Sequence, residues 1–225
     1  MLRTSCLAAP AEKGNSVDLQ ANLLTYLDGN IANPDGRDPT KRYASFDHCF
    51  NYFQLFRESG NVPELAVPAN MQLSCLHLGF YLASWGMLRN SELMERSAKY
   101  LVPVVEVIAT SDPSLWGIDV DSYTESNIRL LVKLAGKICD ALPDLSCTDT
   151  LKTKIILGVF GSVPGFDRFV SRAFVAEDMV GTFNENALRA IAKFYNDHDK
   201  VIMRTGCGRS TFAGGIPSGA TLARR

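Results

Sequence analysis

Apolar residues recur along this chain at intervals of three and four, which is the period of a helix with one buried face. Residues 17–31 show the pattern first and end in a turn sequence, NPDG, at 33–36. Residues 45–59 show it again and stop before Gly60, a typical helix C-terminus. Each stretch predicts a helix, and the inward positions of the second are Phe46, Cys49, Phe50, Phe53 and Phe56.

The middle of the chain predicts a central helix. Residues 71–88, MQLSCLHLGFYLASWGML, are apolar nearly all round, which in a soluble protein predicts a helix covered by its neighbours on every side. His77 lies within it, and we expect a hydrogen-bonded core residue there. Residues 91–109 continue the helical pattern, and Pro103 either opens a new helix or kinks this one.

Start signals predict the helices of the second half. Ser122 and Glu125 fit a Ser-x-x-Glu capping box, followed by apolar residues at helical spacing. Thr148 or Asp149 can cap the next helix. The apolar positions of these two helices are Ile128, Leu131, Leu134, Ala135, Ile138, Leu151, Ile155, Ile156, Val159 and Phe160.

Two shorter signals complete the pattern. A turn at Pro164 leads into a short helix over residues 166–174, and Asn184 can cap a last helix with an apolar face. There is no strand-like alternation of useful length and no internal repeat. The pattern therefore predicts an all-α, single-domain bundle of about seven to nine helices.

The predicted domain covers residues 17–203. Residues 1–16 predict a flexible leader, because their apolar run is shorter than the roughly 7–15 residues of a secretory signal. Residues 204–225 are rich in Gly, Ser and Thr and predict a disordered tail. A cytoplasmic protein is expected.

Composition excludes several classes of protein. Of 225 residues, 46% are hydrophobic and 21% charged, which is typical of a globular domain. The net charge of -1 argues against broad phosphate-neutralising contact with nucleic acid. The apolar runs fall short of the about 20 residues that span a membrane. No cofactor or metal site is predicted, and the scattered cysteines, which lack zinc-ligand spacing, are expected to be reduced thiols: Cys6, Cys49, Cys75, Cys139, Cys147 and Cys207.

The clearest candidate for chemistry is Asp167, which follows the turn at Pro164 at the start of a predicted helix. A structural role as helix cap and partner of Arg168 is one interpretation. The other comes from the Pro-x-x-Asp-x-x-Val spacing of Pro164, Asp167 and Val170, which resembles the segment that carries the catalytic aspartate in helix-hairpin-helix DNA glycosylases. That resemblance implies that Asp167 stabilises a developing sugar cation or orients a water molecule. The hairpin that precedes this segment in those enzymes is missing here.

A second candidate is the pair Arg42 and His48, separated by five residues. The spacing resembles the Arg-x(4–6)-His pattern of HEPN ribonucleases, in which arginine stabilises phosphate charge and histidine acts on the ribose hydroxyl. Tyr43 replaces the polar residue usual after the arginine, and Arg42 precedes the predicted helix. Capping and packing are the alternative roles.

A third candidate joins Trp85 to Arg89, four residues on, which on one helix would share a face and could stack. Core packing is the structural alternative. The functional hypothesis is a polar pocket lined by Trp85, Arg89, His48 and Asp167.

Together these segments resemble an uncharacterised family of prokaryotic helical proteins. The resemblance spans about residues 17–200 and is carried by NPDGR at 33–37, RYASFDHCFNYF at 42–53, LHLGFYLASWGMLRNS at 76–91 and TDTLKTKIILGVFGSVPGFDRF at 148–169. It implies a cytosolic helical domain without implying an activity.

Two functions therefore stay open. In the first, the chain acts on nucleic acid or a nucleotide, with Asp167 as the reactive group and Lys154, Arg89 and Arg168 meeting phosphate. In the second, it is a non-catalytic helical binding or regulatory module whose polar side chains are paired and closed off.

Overall fold

The computed structural model describes residues 18–28, 39–42, 44–89 and 91–205. Within these ranges there are eight α-helices and no strand, so the predicted all-α bundle is confirmed there. Short 3-10 helices join several of them. The α-helices are α1 (Leu19–Asp28), α2 (Ala44–Glu58), α3 (Pro68–Ser84), α4 (Val102–Ala109), α5 (Glu125–Asp140), α6 (Asp149–Phe160), α7 (Arg168–Ala176) and α8 (Glu185–Thr205).

The bundle is built around α2, α3 and α6, which pack against one another. Helix α5 packs against α6 and α8, and α1 rests on α8. The core formed between them contains side chains that are completely covered, each contributing about 1.5–3 kcal/mol of burial free energy. They include Phe53, Leu78, Ile108, Leu131 and Ile155.

Three helix starts follow the predicted signals. Thr148 caps α6 by accepting the backbone N–H of Leu151, and Asn184 caps α8 by accepting that of Ala187. Pro103 lies in the first turn of α4, so it opens a new helix and does not kink a longer one.

The predicted capping box of α5 is wrong by two residues. Thr124 is the residue that caps α5, and it accepts the backbone N–H of Asn127. Ser122 instead completes a box with Asp119 around the preceding 3-10 turn. Ser122 and Thr124 both fit a cap signal, and Thr124, which directly precedes the first residue of α5, is the one that caps the helix. The five apolar positions predicted for α5 are nonetheless all buried.

The prediction that residues 71–88 are covered on every side is also wrong. Helix α3 packs its buried side against α2, α4, α6 and the 3-10 helices Val62–Ala66 and Ala98–Leu101. On the other side Leu73, Leu76 and Phe80 are exposed to 50%, 46% and 69%. The helix ends at Ser84, and residues 85–89 form turns.

Two cysteines differ from the expectation of reduced thiols. Cys139 and Cys147 form a disulfide bond with a Cα–Cα distance of 5.4 Å. The turn between α5 and α6 brings the two together, although they are eight residues apart in sequence. Cys49 and Cys75 are free and buried, as a small apolar residue would be.

The predicted leader, the NPDGR segment and residues 206–225 of the predicted tail lie outside the described residues. Arg204 and Thr205, which begin the predicted tail, still belong to α8. In the part of the chain that the structure describes, no helix has the length and apolar character needed to cross a membrane.

Candidate functional site

A buried lysine lies at the centre of the region that sequence singled out. Lys154, on α6, is only 6% exposed. Its Nζ donates to the backbone carbonyl of Trp85 at 3.2 Å, lies 3.5 Å from Oδ2 of Asp167 and sits 5.6 Å from the centroid of the Trp85 ring. A buried cation is tolerated when it is paired and hydrogen-bonded in this way.

Asp167 stands at the N-terminus of α7, as predicted. Its Oδ1 accepts the backbone N–H groups of Phe169 and Val170 at 3.0 and 3.2 Å. The Asp167 side chain is 25% exposed. Its ionic partner is Lys154 and not the predicted Arg168, whose guanidinium lies 4.7 Å from the centroid of the exposed Phe169 ring.

The loop of residues 161–167 is held against α6, and this places Asp167 over Lys154. Thr150 donates its hydroxyl to the carbonyl of Phe166, and Thr153 accepts the N–H of Phe166, both at 2.8 Å. A Cβ on Gly165 would lie 3.1 Å from Cγ of Lys154, so a glycine allows the close approach. The Tyr123 hydroxyl donates to the carbonyl of Ser162 and ties the loop to the start of α5.

Tyr81 is packed next to this cluster. Its ring lies so close to α6 that a Cβ on Gly158 would be 2.4 Å from Cε1, so any other residue would force the ring or the helix to move. The Tyr81 hydroxyl is buried without a hydrogen-bond partner among the described residues. Burial raises the pKa of Tyr81 well above its ordinary value, with smaller electrostatic contributions from Cys49 and Asp167.

The predicted pair Arg42 and His48 is placed around the start of α2. Arg42 is exposed in the turn before α2, and its carbonyl accepts the backbone N–H and the hydroxyl of Ser45. His48 is half-buried and acts electrostatically on His77 of α3, which stacks on Tyr52 at 4.1 Å. These contacts of Arg42 are made by its main chain at the start of α2.

The prediction that Trp85 and Arg89 share a helical face is wrong, because α3 ends before both. Arg89 is exposed in a turn, where its backbone N–H donates to the carbonyl of Gly86 at 3.2 Å. The cation that lies over the Trp85 ring is Lys154. The structure thus joins Asp167, Lys154 and Trp85, whereas the Arg168 guanidinium lies over the Phe169 ring and Arg89 is exposed.

Sequence reasoning missed the packing of Tyr81 against Gly158. A glycine in the interior of a predicted helix was the available signal, because such a residue usually has a packing reason. It also missed the exposed side of α3, which an apolar composition alone cannot reveal.

Among the residues described, no group of three or more His, Cys, Asp or Glu side chains is placed to hold a metal ion. No protein-family model matches the chain, and neither a curated protein nor a solved structure matches it.

Proposed function

We propose that this chain is a non-catalytic helical binding or regulatory module, in which the Lys154–Asp167 pair holds α7 and its preceding loop onto α6. One observation carries the proposal. The carboxylate of Asp167 is engaged through both oxygens, Oδ1 with two backbone N–H groups and Oδ2 with the Lys154 ammonium.

The same contacts weigh against a catalytic aspartate. A general base, or a carboxylate that stabilises a developing cation, must direct lone pairs at the reacting atom. A carboxylate accepts about four hydrogen bonds, and three of those positions on Asp167 face its own chain. Lys154 is equally committed, since its ammonium is buried between Asp167 and the Trp85 carbonyl and points away from any phosphate in solvent.

The Cys139–Cys147 bond bears on where such a module works. Disulfide bonds persist mainly in oxidising compartments, so this bond counts against the expected cytoplasmic location.

The experiment is an assay of the purified full chain against damaged DNA, single-stranded DNA and RNA. The variants are Asp167→Asn, which retains a cap oxygen but removes the charge, and Arg42→Ala with His48→Ala. Asp140→Asn, at an exposed position on α5, is the matched control. We expect no turnover by any of the proteins and a lower melting temperature for Asp167→Asn.

Turnover by the wild type that disappears in Asp167→Asn while Asp140→Asn retains it would overturn the proposal in favour of a glycosylase-like enzyme. Turnover of RNA that requires Arg42 and His48 would overturn it in favour of a ribonuclease.

A further inference from the structure

A cleft lies between α5 and the end of α4 with the turn that follows it. Buried and half-buried apolar side chains form its floor, and polar side chains line the rest of it. The apolar residues are Val107, Leu115, Leu130 and Leu134. The polar residues are Ser111, Asp112, Lys133 and Lys137.

The two lysines of the cleft carry a positive charge that the chain does not pair. Both are exposed, and neither Lys133 nor Lys137 forms an ion pair or a side-chain hydrogen bond among the described residues. The acid of the cleft is Asp112, whose Oδ1 accepts the backbone N–H and the hydroxyl of Ser114 at 2.9 and 2.7 Å. These hydrogen bonds lower the pKa of Asp112, and smaller electrostatic contributions from the two lysines lower it further. Two positive charges therefore face one negative charge that is held by its own turn.

The positive charge continues along α5. Between Glu125 and Asp140, the charged residues of this helix are all basic and exposed, and we call them the α5 basic stripe: Arg129, Lys133 and Lys137. Their spacing of four residues places them on one side of the helix, about 6 Å apart along its axis. Glu125 does not neutralise the stripe, because Arg189 already donates two hydrogen bonds of 2.7 Å to its carboxylate. An elongated acidic partner matches this row of charges better than a single small anion does.

The size of the cleft indicates what enters it. Its volume is about 90 Å³, well below the about 300–1,000 Å³ of pockets that hold small molecules. It therefore admits one apolar side chain of a partner and not a cofactor. A nucleic acid is a poorer match, because its binding depends on many phosphate contacts, whereas this chain has a net charge of -1 and places an apolar floor beside its lysines.

We propose that the cleft and the α5 basic stripe bind an acidic peptide segment of another protein. An apolar side chain of the peptide enters the cleft over Leu115 and Leu134, and neighbouring Asp or Glu side chains pair with Lys133 and Lys137. This inference rests on the proposed function, because it names the partner of a binding module. The buried apolar side chain supplies affinity, and the charged pairs around it supply specificity and speed of association.

The first test is selection from a random dodecapeptide library displayed on phage, with the purified full chain as bait. The variant is Lys133→Glu with Lys137→Glu, which reverses the charge of the cleft. Its matched control is Lys99→Glu with Lys193→Glu, which changes the net charge equally at two exposed lysines outside the cleft. We expect the wild type and the control to enrich peptides that combine Asp or Glu with a large apolar residue, and the cleft variant to lose them.

The second test is the affinity of the most enriched peptide, measured by fluorescence anisotropy. We expect binding to be at least about tenfold weaker for the cleft variant and unchanged for the control. Replacing the acidic residues of the peptide by their amides, or its apolar residue by alanine, should each weaken binding as well, since both parts are recognised. Unchanged melting temperatures show that the variants keep the fold.

Four outcomes would overturn the inference. They are enrichment of peptides without acidic residues, equal affinity of the peptide for the wild type and the cleft variant, binding that survives loss of the apolar residue, and displacement of the peptide by a single-stranded RNA oligonucleotide. All four are measurements of binding and none alters the turnover assays, so failure of this inference and failure of the proposed function are separable.

Discussion

Two regions depart from the usual placement of side chains in opposite ways. At Lys154 a charge lies inside the domain, and on the outward face of α3 the large apolar side chains of Leu73, Leu76 and Phe80 lie in solvent. The buried charge is offset within the chain by Asp167 and the Trp85 carbonyl. The exposed apolar side chains have no such offset within α3.

Helix α3 takes part in both regions, and its period separates them. Phe80 is 69% exposed and its neighbour Tyr81 only 1%. Tyr81 packs against α6 beside the Lys154 cluster, whereas Phe80 lies on the outward face of α3. A rotation of about 100° per residue is enough to place adjacent aromatic rings in opposite surroundings. One helix without Asp, Glu, Lys or Arg can therefore have one face in the core and the other in solvent.

The largest expected effect comes from removing the Asp167 carboxylate, which offsets the buried charge of Lys154. Asp167→Ala removes the cap of α7, worth about 0.5–2 kcal/mol, and leaves a buried ammonium with one carbonyl. We expect the free energy of unfolding to fall by about 3 kcal/mol, measured by urea denaturation.

The control for this prediction is Asn184→Ala, which removes the cap of α8 where no buried cation depends on it. It should cost about 1 kcal/mol. Lys154→Met combined with Asp167→Ala should cost less than Asp167→Ala alone, since no charge is then stranded. Equal losses for Asp167→Ala and Asn184→Ala would mean that Lys154 does not depend on Asp167.

A smaller effect, of opposite sign, is expected at Tyr81. Its hydroxyl is buried without a hydrogen-bond partner among the described residues, and burial of an unsatisfied hydroxyl costs free energy. Tyr81→Phe should therefore raise the free energy of unfolding by up to about 1 kcal/mol. Tyr123→Phe is the matched control, because the Tyr123 hydroxyl donates to Ser162 and its loss should destabilise. Destabilisation by both variants would contradict this prediction, because it would mean that the Tyr81 hydroxyl makes a stabilising hydrogen bond.

The helices could be predicted from the sequence because their signals are local. The apolar spacing of α5 gave its five buried positions, and single polar residues marked the starts of α6 and α8. The cap of α5 was predicted wrongly because Ser122 and Thr124 both fit a cap, and only the fold of the preceding turn decides between them. Local residue types therefore allow several helix boundaries, and the fold of the neighbouring turns decides which of them forms.

The contacts around Asp167 could be predicted only in part. Its place at the start of a helix follows from the chain itself, but its partner Lys154 is set by how a loop folds back on α6. The open side of α3 was hidden for a related reason. Residues 71–88 are apolar on all faces, so their composition cannot say which face lacks a neighbour.

The smallest expected effect is at His77, which lies between the two regions and stacks on Tyr52. Burial lowers the pKa of His77, and the charge of His48 lowers it further. A histidine with a lowered pKa in the folded state binds fewer protons there than in the unfolded state. Its contribution to stability is therefore complete above the unfolded pKa of about 6.5 and is lost as the pH falls towards the folded pKa.

An NMR titration of the His77 ring should give a pKa below the ordinary histidine value, and His48→Gln should move it back upward by removing the second cause. His77→Phe keeps an aromatic ring against Tyr52 and should make unfolding less sensitive to pH below about 6.5. A His77 pKa at or above about 6.5 would mean that the side of α3 that carries His77 is as open to solvent as the outward face with Leu73, Leu76 and Phe80. The exposed face of the helix would then extend further towards the core than the contact between Tyr52 and Ser74 indicates. The side-chain oxygens of these two residues lie 2.9 Å apart.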